Sequence, residues 1–160
     1  MSVDEGSLHS KQVDDWIKQN AAGLSSEKLV VIFGAAIQAI QRRAEVTLSE
    51  VTLTAIFDRV LHTSRKEFPF LSDVKLESSR IALDALMTHV DDLERDTVTE
   101  AFRFLLIGLL TLLGNLTADI LTKPLYRELF KVTAESANSV SKANHRGLRS
   151  IKGSSDQGDV

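Results

Sequence analysis

The chain has 160 residues, of which 43% are hydrophobic and 26% charged, with a formal net charge of -3 and no cysteine. These are the proportions of a globular protein sized for one domain. They exclude disulfide frameworks, thiolate zinc sites and cysteine nucleophiles, and they supply no long-range field that would recruit nucleic acid.

Met1 to Leu8 carries Asp4 and Glu5 and lacks the basic start and apolar run of a secretory signal, so a cytoplasmic location is expected. Val13, Trp16, Ile17 and Asn20 recur at helical intervals. They predict a first helix near residues 10 to 21, closed by Gly23 in the left-handed conformation.

Ser25 or Ser26 can cap a second helix running to about residue 45, with Leu29, Ile32, Phe33, Ala36, Ile37 and Ile40 as its apolar face and Arg42 and Arg43 at its end. Thr47-Leu48-Ser49-Glu50 has the form of a capping box, and the helix behind it is expected to turn Val51, Leu53, Ile56, Phe57, Val60 and Leu61 inward. Pro69 breaks that helix, because the residue before a proline is pushed out of helical geometry.

Residues 72 to 77 read as extended loop. From Ser78 or Ser79 the spacing of Ile81, Leu83, Leu86 and Val90 predicts another helix, ending in an acidic run from Asp91 to Asp96.

Thr97 to Glu100 is a second capping-box match and opens the longest predicted helix, about 98 to 122. Within it Phe104 to Ala118 is free of charge, but the run contains Gly108, Thr111, Gly114, Asn115 and Thr117. It is shorter than the roughly 20 apolar residues of a membrane span, so it is read as the core helix of a bundle. Pro124 opens or kinks a last helical stretch to about residue 137.

The expected fold is therefore all-α: an antiparallel bundle of five or six helices around a long apolar central helix, with a disordered C-terminal tail. Residues 1–9 are expected to be flexible, 10–137 to form the helical domain, and 138–160 to be a mobile basic and polar tail.

Candidate functional residues fall into three groups. On the central helix Gly108, Thr111, Gly114, Asn115 and Ala118 gather on one side, where small residues let another helix approach closely and polar ones find partners. The stripe suits an interface between proteins, including two copies of this chain, and equally a close contact within one bundle.

The second group is His62 with Arg65 and Lys66, which could carry and steady a phosphoryl group. It resembles histidine phosphotransfer domains only in helical architecture. Those domains usually place a lysine and then a glycine after the histidine, whereas Thr63, Ser64, Arg65, Lys66 and Glu67 follow here.

The third group is the tail's Lys142, Arg146, Arg149 and Lys152, a short basic element that would make weak contact with an acidic partner, a membrane surface or nucleic acid.

The histidines at 9, 62, 89 and 145 are too dispersed for a zinc site, and neither a nucleophile elbow nor a phosphate-binding glycine loop occurs. Asn115-Leu116-Thr117 matches a glycosylation sequon but falls inside the apolar helix. No metal, cofactor or catalytic residue is expected. The expected function is a non-catalytic interaction or regulatory module of bacterial-type intracellular signalling, acting on a protein partner or on itself as a homodimer. The alternatives are a signalling domain that carries phosphate on histidine or binds a small ligand, and a membrane-associated protein.

Overall fold

The computed structural model describes the backbone of residues 2–77 and 80–136 and the side chains from residue 8 onward. The basic residues Lys142, Arg146, Arg149 and Lys152, and the whole segment 138–160 expected to be a mobile tail, lie outside the described residues.

Among the described residues the fold is all-α apart from one small hairpin. Helix α1 (Ser2–Asn20) starts ahead of the predicted residue 10, where no apolar periodicity marks it, and buries Val13 and Trp16. Gly23 adopts φ +79° in the turn that follows, a conformation glycine reaches without a steric penalty. Helix α2 (Ser26–Glu45) is capped by the Ser25 hydroxyl, which accepts from the Lys28 amide at 3.3 Å, and buries the whole predicted face from Leu29 to Ile40.

Helix α3 (Glu50–Glu67) starts two residues later than the Thr47 box implies. Its cap is Ser49, whose hydroxyl accepts from Thr52 N, while the Thr47 and Leu48 amides bond back to Ala44 O to close α2. Val51, expected inside, is 80% exposed. It lies five residues before buried Ile56, a rotation of roughly 140° away at 100° per residue.

The segment after Pro69 departs most from expectation. A 3-10 turn (Pro69–Asp73) buries Leu71, and β1 (Lys75–Glu77) pairs antiparallel with β2 (Arg80–Ala82), so that Leu76 faces Ile81. In place of the helix predicted from residue 78 there follow only a single turn, α4 (Asp84–Met87), and a 3-10 turn (Val90–Asp92). Leu86 and Val90 are buried, but Ile81 is taken by the hairpin, so the helical spacing there was coincidental.

Helix α5 (Arg95–Leu116) has Glu94 at its cap position and Thr97 already inside its first turn, so the second capping box does not form. It ends six residues earlier than predicted, because Ala118 and Asp119 take φ +50° and +63° and the Asp119 amide bonds back to Gly114 O at 2.7 Å. Helix α6 (Thr122–Lys131) then starts afresh with Pro124 in its first turn, where a missing amide costs nothing.

α5 is the hub, packed on α1, α2, α3 and α6. It buries Val98, Ala101, Phe102, Leu105, Leu106, Leu109, Leu110 and Leu113. Asp14 meets Arg103 and His9 lies beside Gly114, so α1 runs antiparallel to α5. Above this hub Phe33 stacks on Phe102 with ring centres 5.2 Å apart and meets Trp16 edge-on at 5.4 Å. Such pairs add about 0.5–1.5 kcal/mol each to the burial of their area.

Candidate interaction groove

Only one side of α5 is closed. It is the one helix, among the described residues, long and apolar enough to cross a membrane, yet half of its most apolar window is buried by the rest of the chain. The open half carries the row Phe104, Gly108, Leu112 and Leu116, spaced four residues apart and therefore forming one ridge. Phe104 is 37% exposed and Leu116 55%.

This ridge forms one wall of a groove, and α3 forms the other. A first cleft of about 450 Å³ lies between Arg59, Val60 and Thr63 of α3 and Arg103 to Leu112 of α5. A second of about 620 Å³ lies between Val51 to Arg59 and Leu112 to Leu116. Higher numbers on α3 thus meet lower numbers on α5, so these helices also run antiparallel. Arg59 and Leu112 line both clefts and join them into one channel.

Gly108 lets α3 pack closely at the floor of the groove, since a Cβ built there would stand 3.3 Å from Val60 Cγ1. Thr111, which lines the first cleft, donates its hydroxyl back to Ile107 O at 2.7 Å, so that polar group is satisfied within α5. At the mouth, Arg103 is held by Asp14 through Nε at 2.6 Å and Nη2 at 3.2 Å, and that hydrogen bond raises its already high pKa. Phe68 meets Phe104 edge-on at 6.0 Å and supports the same end.

The predicted stripe is thereby divided. Gly108, Thr111 and Asn115 line the groove. Gly114 lies outside the groove and faces the turn into α6: a Cβ there would stand 3.0 Å from Asp119 Oδ1 and 3.1 Å from Thr122 Oγ1. Ala118 lies beyond the helix in the left-handed turn and is exposed.

His62 and Lys66 are exposed on α3, but Arg65 is turned away, donating to the carbonyls of Leu71 and Val74 that close the Pro69–Asp73 turn. His89 pairs with Asp73 at 3.7 Å rather than with the neighbouring acids. No group of three or more potential metal ligands occurs among the described residues.

Two features were not singled out from the sequence. Arg59 became meaningful only once α3 and α5 were set side by side. The other is a cleft of about 480 Å³ at the far end of α5, lined by His9, Asp119, Thr122, Lys123 and Tyr126. There His9 Nδ1 and the Tyr126 hydroxyl share a hydrogen bond at 2.5 Å across 117 residues. His9 is 3% exposed, and burial lowers its imidazole pKa, with Asp119 pulling in the opposite direction. No spacing rule links residues so distant in the chain.

The chain matches no family model, no curated protein and no solved structure.

Proposed function

We propose that this chain is a non-catalytic interaction module that seats an amphipathic helix of another protein in the groove between α3 and α5. The observation that carries the reading is the open ridge Phe104, Gly108, Leu112 and Leu116, facing a channel across from Ile56 and Val60. Helix-in-groove recognition needs an apolar channel of this form, with hollows for anchor side chains. The two clefts supply those hollows.

The test is selection of amphipathic helical peptides of about 18 residues from a naive display library on the full chain. The selected peptides are then measured against Thr63→Trp and Asn115→Trp. Both positions are exposed, and each substitution fills one cleft without disturbing the core. Loss of binding to these variants supports the reading. Equal binding to the parent and to both variants overturns it. Light scattering over a range of concentrations reports whether a second copy occupies the groove instead.

A further inference from the structure

Resting on the groove reading above, we infer that Arg59 sets the chemistry of the partner: a helix with large apolar residues at positions i and i+7 and a carboxylate between them, at i+3 or i+4.

The charge follows from the lining of the groove. Among the described residues Arg59 and Arg103 are its only ionisable groups, and no described aspartate or glutamate lines either cleft. Arg103 is already neutralised by Asp14. Arg59 is exposed and takes part in none of the ion pairs among the described residues. A helix that covers the groove brings Arg59 out of water, and a carboxylate placed opposite it replaces the lost hydration. A lysine at the same position adds repulsion to that loss.

The spacing follows from where Arg59 lies. On α5 the first cleft is centred near Gly108 and the second near Asn115, seven residues further on. That is ~10 Å at 1.5 Å per residue. Two anchors seven residues apart on a partner helix span the same distance and lie on one face. Arg59 lines both clefts and stands at their junction, level with the turn between the two anchors.

Charge also argues against the two occupants closest at hand. The chain's own tail has no acid from residue 136 to 155 and carries Lys142, Arg146, Arg149 and Lys152. A second copy docked groove to groove about a two-fold axis places Arg59 near the centre of both surfaces, where like charges converge.

The test uses the full chain and three synthetic helical peptides of identical background. All have leucine at i and i+7, with glutamate, alanine or lysine at both i+3 and i+4. Affinity is read by fluorescence anisotropy at two salt concentrations, and location by amide shift changes at Thr63, Gly108, Thr111 and Asn115. The glutamate peptide is expected to bind roughly tenfold more tightly than the lysine peptide, with the difference shrinking in salt. Arg59→Glu, at an exposed position that leaves the core intact, should reverse the order.

Equal affinity of the glutamate and lysine peptides, with shifts confined to the groove, overturns the inference about Arg59 and leaves the groove reading standing. Absence of groove shifts with all three peptides overturns both. A concentration-dependent dimer whose groove amides are protected assigns the groove to a second copy and likewise overturns the acidic-partner inference.

Discussion

Trp16 and Val132 lie 116 residues apart in sequence, and the indole Nε1–H of one donates to the carbonyl of the other at 2.8 Å inside the protein. The bond ties α1 to the end of α6 and gives the one polar atom of the largest core side chain its partner. Because Trp16 is the sole tryptophan, its fluorescence reports on this junction directly. Trp16→Phe removes the donor, orphans the Val132 carbonyl and leaves a void beside Phe33. The expected loss is about 2–4 kcal/mol, measured by chemical denaturation followed by circular dichroism.

Gly114 is the position where α5 can least tolerate a side chain. Gly114→Ala gains helix propensity of about 1 kcal/mol but pushes a methyl against Asp119 Oδ1 and Thr122 Oγ1. Both oxygens belong to the turn that starts α6, and they are bonded to each other at 3.0 Å. The net expectation is destabilisation by about 1–2 kcal/mol, with amide shift changes concentrated between residues 117 and 126 in the folded state.

The left-handed turn supplies the opposite case. Ala118 is exposed and holds φ +50°, which costs a non-glycine residue about 1–2 kcal/mol. Ala118→Gly removes that strain at the expense of a looser unfolded chain. A gain of about 0.5–1 kcal/mol is expected, and a measured loss would show that the turn is held in some other conformation.

Acid should weaken the contact between α1 and α6. The folded-state pKa of His9 lies below its ordinary value, chiefly because of burial and despite Asp119. The unfolded chain therefore binds a proton more readily than the folded one. The stability contributed by neutral His9 is fully present above the unfolded pKa, about 6.5, and falls as pH drops through it toward the folded value. Thermal unfolding between pH 7.5 and 5 should show a steeper decline for the parent than for His9→Phe. Parallel declines would remove His9 from the account.

Much of the helical framework could be read from apolar spacing. The face of α2 and the core-helix character of α5 follow directly from residues repeating at three and four. Thr47-Leu48-Ser49-Glu50 indicates that a helix begins but not where, because Thr47 and Ser49 are both competent caps and the chain uses Ser49. The hairpin escaped because three-residue strands leave no periodicity to detect. The end of α5 escaped because Ala118 and Asp119 carry no glycine signal for a left-handed turn.

The groove was half legible. Gly108, Thr111 and Asn115 stood out as small and polar residues on an apolar helix, but the opposite wall and Arg59 depend on how two helices pair, which no local pattern encodes. The same limit hid His9 and Tyr126.

The place of α5 as hub also bears on how the chain is made. Among the described residues, its main packing partners α1, α2 and α3 precede it in sequence and α6 follows. When the ribosome releases the most apolar stretch of the protein, three of the helices that shelter it have already been synthesised. The interval during which that stretch could be captured by a neighbouring nascent chain or by a translocation channel is correspondingly short.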